Sequence, residues 1–144
     1  MRIAWFNIPA HGHTNPTLNV VGELVEAGHD VHYFSFEPFR EQIERTGATF
    51  VACDGADVQM PDTTDGESVA QDLLLAIELI VSSTLALDDL VTRAIEDIRP
   101  DVIVSDSMAT WGKLAALKHR LPYVCSNSTF AFSDFADAFF GIVR

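Results

Sequence analysis

The chain has 144 residues, enough for one ordinary domain with a substantial buried core. Hydrophobic residues make up 48% and charged residues 21%, a globular composition rather than a disordered one. Nine Lys and Arg against 21 Asp and Glu leave a net charge of −12, which argues against nucleic-acid and membrane partners because both present phosphate.

The chain alternates short β-rich runs with helical patterns. Ile3 to Ile8 reads as a buried strand, bounded by Pro9 and Gly12. Asn15-Pro16 is expected to open a helix, with Asn as N-cap and Pro at the first helical position. Leu18, Val21, Leu24 and Val25 line one face of that helix, and Gly28 is its natural stop. Val31 to Phe36 is a second strand. Pro38 begins a short helix carrying Phe39 and Ile43, ended by Gly47, and Thr49 to Cys53 is a third strand.

Gly55 to Ser68 is a polar, acidic loop, part of a stretch without Lys or Arg from residue 46 to residue 92 that reads as a solvated face. Ser68 and Gln71 have capping-box spacing. From Leu73 to Arg99 apolar residues recur at helical intervals, which predicts one kinked helix or two in succession, ended by Pro100. Asp101 to Asp106 is the fourth strand, Met108 to Arg120 a helix, Tyr123 to Ser126 the fifth strand, and Phe130 to Val143 a last helix. No internal repeat appears.

Cys53 and Cys125 are too few and too far apart for a disulfide framework or a zinc site, and both are expected as buried thiols in apolar strands. The opening MRIAWFNIPAHGH has no secretory pattern, and Leu73 to Leu87 is interrupted by Glu78, Ser82, Ser83 and Thr84, so a cytoplasmic protein is expected.

Five strand–helix alternations predict an α/β fold: a Rossmann-like, open, mostly parallel twisted sheet of order 3-2-1-4-5 with helices on both faces. In that order strands 1 and 4 are neighbours, and ligands of such sheets sit beyond the carboxyl ends of those two strands. Two segments are thereby nominated, His11 to Pro16 and Ser105 to Met108. The first carries two histidines and the second a carboxylate. A neutral imidazole can take a proton from a substrate hydroxyl, and an Asp on its other nitrogen fixes the tautomer and stabilises the imidazolium. Taken singly, a His in a turn is most often a hydrogen-bonded surface residue, and an Asp before a helix is often an N-cap. Their convergence on one predicted crevice brings the catalytic reading level with these bland ones.

The stretch Phe6-Asn7-Ile8-Pro9-Ala10-His11-Gly12-His13-Thr14-Asn15-Pro16-Thr17-Leu18, with Gly28-His29-Asp30-Val31 after it, resembles the start of bacterial family 1 glycosyltransferases of the GT-B fold. The macrolide and flavonoid glucosyltransferases are the nearest group. Pro100-Asp101-Val102-Ile103-Val104-Ser105-Asp106 resembles the same family's fourth strand and its terminal Asp. The resemblance implies that residues 1–144 form the N-terminal, acceptor-binding half of a GT-B architecture. It makes His13, rather than His11, the base that deprotonates an acceptor hydroxyl, and Asp106 its partner. The hydroxyl would attack the anomeric carbon of a nucleotide sugar, usually UDP-glucose, with inversion and without a metal. The donor motif of the family's C-terminal domain is absent, so the donor is expected to bind only with that domain, supplied in cis or by a separate chain. Alone, this chain is expected to be inactive or nearly so and to carry no cofactor.

Aromatic residues hint at a lipophilic small-molecule acceptor. Phe130, Phe132 and Phe135 follow strand five, Met108 and Trp111 follow Asp106, and His11 neighbours the base. Core packing is the competing reading and the favoured one for most of these aromatics. Side chains that normally pack on a missing part would leave an apolar patch open to self-association. Two other classes compete. A dinucleotide-binding oxidoreductase would use Glu37, yet Pro9 to His13 holds one glycine rather than the Gly-x-Gly-x-x-Gly turn. A non-catalytic module that binds a small molecule or a partner protein would share the fold.

Overall fold

The computed structural model describes residues 1–54 and 73–128. Its elements are β1 (Arg2–Phe6), α1 (His11–Glu26), β2 (Asp30–Ser35), a 3-10 turn (Glu37–Phe39) leading into α2 (Arg40–Glu44), and β3 (Thr49–Ala52). They continue with α3 (Leu73–Ile98), β4 (Val102–Asp106), α4 (Thr110–His119) and β5 (Tyr123–Ser126). The five strands are parallel, in the order β3-β2-β1-β4-β5. This is the predicted α/β architecture.

Alternation along the strands sorts side chains into two cores, one on each face of the sheet. Ala4 and Phe6 of β1 point to a core built with Leu87, Val91 and Ile95 of α3 and with Trp111, Ala115 and Ala116 of α4. Ile3 and Trp5 point to the opposite core, with Val21 of α1 and Ile43 of α2. Both faces are covered, as a parallel sheet requires. Phe6 and Phe34 stack at 4.2 Å across β1 and β2.

Helix α1 ends as its Gly28 predicts. Gly28 has φ +84°, its N–H donates to Val25, and the His29 N–H donates to Leu24. These are the paired bonds of a left-handed helix stop, which a residue without Cβ enters at no steric cost. Arg99 and Arg120 take the same left-handed conformation at the ends of α3 and α4, each closely followed by a proline.

Three expectations are corrected or narrowed. Helix α1 begins at His11, so Asn15 and Pro16 lie inside it. Pro16 there removes the amide that would reach the Gly12 carbonyl, and its ring crowds that carbonyl. The long apolar segment is one helix rather than two. Cys53 is buried as expected, but Cys125 is exposed, because β5 is the sheet edge and its first three residues are exposed. The loop 55–68, the Ser68 cap and the helix over 130–143 lie outside the described residues. Among the described residues, no helix is long and apolar enough to cross a membrane.

Candidate active site

Strands β1 and β4 end side by side, with Phe6 in register with Ser105. Beyond Phe6 the chain turns sharply, the Ala10 N–H donating to the Ile8 carbonyl, and enters α1. The Ala10 carbonyl then accepts from the amides of His13 and Thr14. His13 is therefore held in the first turn of the helix, while Asp106 is the last residue of β4.

The two side chains meet. His13 Nδ1 lies 2.9 Å from Asp106 Oδ2. The Asp106 side chain is fully buried and that of His13 is 14% exposed. A buried carboxylate needs donors on both oxygens. The Met108 N–H supplies Oδ1 at 2.8 Å. Oδ2 takes the imidazole and, at 3.2 Å, the hydroxyl of Ser128.

Ser128 Oγ also lies 2.7 Å from His13 Nδ1. The three contacts are mutually consistent in one protonation pattern. A carboxylate is acceptor-only, so a 2.9 Å approach requires a proton on Nδ1. The Nδ1–H is shared between Asp106 Oδ2 and Ser128 Oγ, and the Ser128 O–H donates to Asp106. In the neutral ring Nε2 then keeps its lone pair, on the edge engaged by neither Asp106 nor Ser128. That nitrogen can accept a proton while the carboxylate stabilises the resulting imidazolium.

Beneath the turn lies a buried polar group that the sequence reading did not single out. Asn7, Tyr33, Thr14 and Thr17 are all buried. Burial pushes the Tyr33 phenol above its ordinary value, and the Asp106 carboxylate adds to that shift. A local signal for Asn7 existed: it is the polar residue closing an otherwise apolar run. Ser128 had a weaker one. It lies just past β5, whose Ser126 is in register with Asp106 at the same carboxyl end of the sheet.

The remaining candidates are placed as follows. His11 is exposed, its ring 5.0 Å from that of Phe39. Met108 is half-buried and acts through its backbone amide on Asp106. Trp111 belongs to the core at 2% exposure. Phe130, Phe132 and Phe135 lie outside the described residues. Glu37 is committed to Arg40, both of its oxygens accepting from the guanidinium, whose bonds hold the carboxyl below its usual range. Among the described residues no group of three His, Cys, Asp or Glu could hold a metal ion.

No family model matches the chain. Individual proteins do. The chain is 32% identical over 139 residues to demethyllactenocin mycarosyltransferase of Streptomyces fradiae, covering 92% of this chain and 30% of that protein. It is 34% identical over 137 residues to the NDP-glycosyltransferase YjiC of Bacillus licheniformis, covering 90% of this chain and 33% of that protein. The chain's homologues and structural neighbours are family 1 glycosyltransferases. The fold agrees: the crystal structure of the glycotransferase of kitacinnamycin superposes with a TM-score of 0.77 over 97% of this chain and 33% of that one, at 23% identity. The chain spans about a third of the length of these glycosyltransferases. The family's GT-B architecture accounts for the sheet order.

Proposed function

We propose that this chain is the acceptor-binding and base-bearing half of an inverting nucleotide-sugar glycosyltransferase, acting on a hydroxyl of a lipophilic small molecule. One observation carries the reading: the buried Asp106 carboxylate on His13 Nδ1, which leaves Nε2 free to act as a base. Relatives named for sugar transfer, one of them a mycarosyltransferase, support the reaction class.

In this scheme the acceptor hydroxyl donates to Nε2 of His13. As its oxygen attacks the anomeric carbon, the proton passes to Nε2 and the bond to the nucleoside diphosphate breaks. Attack opposite the leaving group inverts the anomeric centre. Asp106 keeps the ring oriented and offsets the imidazolium charge, and Ser128 restrains both partners. UDP-glucose is the proposed donor, held by a second domain joined to this chain or supplied separately.

Titration of the isolated chain, followed by the amide spectrum, tests the division of labour. Macrolide or phenolic acceptors are expected to shift signals around residues 11–14 and 106–108, and UDP-glucose to bind weakly or not at all. Acceptor binding unaffected by His13→Ala would favour a non-catalytic binding module. Tight NAD binding would overturn the reading. In a protein carrying the donor domain, His13→Ala should lower turnover by about 10²- to 10⁴-fold, the usual contribution of a positioned base.

A further inference from the structure

We infer that Asn7 is a positioning residue for the His13 base, acting through its own hydrogen bond to the His13 carbonyl and held in place by a buried one-way chain of hydrogen bonds beneath the β1–α1 turn. The inference rests on the reading of His13 as a base. It concerns residues that touch neither substrate nor the reacting atoms.

Asn7 is wholly buried, and its amide is satisfied on every side. Its Nδ2 donates to the His13 carbonyl at 3.0 Å and to the Tyr33 hydroxyl at 2.8 Å. Its Oδ1 accepts from the Ile8 N–H at 2.9 Å. The orientation of this amide is decided by its partners. A flipped group would set its oxygen against the His13 carbonyl, which has no proton to give, and its NH2 against the Ile8 N–H.

The direction continues through the network. The Thr17 hydroxyl donates to the Thr14 carbonyl at 2.8 Å, so it must accept at 2.7 Å from Tyr33. Tyr33 in turn accepts from Asn7. Every hydroxyl in the chain donates once; the steps from Asn7 through Tyr33 and Thr17 to the Thr14 carbonyl are buried, and the bond to the His13 carbonyl is partly so. A satisfied buried polar network fixes one arrangement and makes any alternative costly.

What it fixes is the start of α1. The N-cap of this helix is Ala10, whose side chain makes no capping bond. Pro16 supplies no amide to the Gly12 carbonyl. Lacking the usual side-chain cap, this opening turn is held from below by Asn7, on the same residue whose ring reaches Asp106. Loss of Asn7 should release the His13 backbone and lengthen the Nδ1–Asp106 contact, so that Asp106 no longer dictates the tautomer.

The test uses the 144-residue chain with its histidines labelled with 15N, His13 being assigned by comparison with His13→Gln. The native chain is expected to show neutral His13 as the Nδ1–H tautomer. Asn7→Leu, or the smaller Asn7→Ser, should lose that signature in favour of Nε2–H, the form free histidine prefers. Tyr33→Phe removes the neighbouring bond but not the one to His13. It should lower the melting temperature while keeping the Nδ1–H tautomer. An unchanged tautomer in both Asn7 variants overturns the inference, as does an equal loss in Tyr33→Phe. A native chain that itself lacks the Nδ1–H form would instead defeat the reading of the His13–Asp106 pair.

Discussion

Gly112 packs against Ser105 with no room for a methyl group. A Cβ there would stand 2.5 Å from Ser105 Oγ and within 3 Å of the Phe6 side chain. This close approach lets the first turn of α4 lie directly on β1 and β4. Ser105 Oγ also donates to the Ala109 carbonyl at 2.8 Å, tying the turn that carries Met108 to the strand that carries Asp106. Gly112→Ala should therefore destabilise the fold, since overpacking costs about 1–3 kcal/mol and the gain in helix propensity is at most about 1 kcal/mol. Urea denaturation measures this. A midpoint equal to or above that of the native chain would show that α4 can move away freely.

The order of the sheet was legible because each strand is a short apolar run and the connections are helical, conditions that leave few topologies. The same order nominated the segments His11–Pro16 and Ser105–Met108, and the family resemblance singled out His13 over His11 and paired it with Asp106. The start of α1 was not legible, because the local preference of Pro for a first helical position is overridden by tertiary bonds from Asn7 and by the turn at Ala10. Ser128 carries no periodic signal, and its role depends on β5 lying beside β4. Cys125 was misread because apolar neighbours mark a strand without saying whether it is central or at the edge.

The two cysteines should differ sharply in reactivity. Cys125 is exposed, whereas burial pushes the Cys53 thiol up to about 12, with Asp54 adding to it. The thiolate is the reactive form. A disulfide reagent at pH 8 should label one thiol in the folded chain and both in denaturant. Because the folded state holds the Cys53 proton more tightly than the unfolded chain, this group leaves stability unchanged below about pH 8.5 and lowers it as pH rises toward 12. Tyr33, also raised by burial, acts in the same direction at still higher pH. Denaturation midpoints measured from pH 8 to 11 should fall in the native chain and fall less in Cys53→Ala. Parallel curves for the two proteins would remove Cys53 as a cause.

Ser128→Ala separates the hydroxyl from the carboxylate. The variant leaves Asp106 with the imidazole and the Met108 amide, so the tautomer should stay Nδ1–H. The bonds from Ser128 to both partners are lost, and a hydrogen bond of this kind contributes roughly 0.5–1.5 kcal/mol. Chemical denaturation should show a loss in that range, and His13 ring signals should broaden. A switch to Nε2–H would mean that Ser128, not Asp106, governs the ring.

Asp106→Asn gives the sharpest outcome, because the Met108 N–H decides how the new amide sits. That donor, 2.8 Å from Oδ1, must face the carbonyl oxygen of the amide and not its NH2. The NH2 then takes the place of Oδ2, 2.9 Å from His13 Nδ1. Two donors cannot share that contact, so the ring proton moves to Nε2 and Nδ1 becomes the acceptor. The lone pair is now turned away from the side of the ring where a substrate hydroxyl would approach. Ring 15N shifts should report the exchange of tautomers with the fold intact by circular dichroism. In a protein carrying the donor domain, transfer should fall as steeply as in the His13 variant. Retention of the Nδ1–H form in Asp106→Asn would show that the carboxylate does not set the protonation of the imidazole.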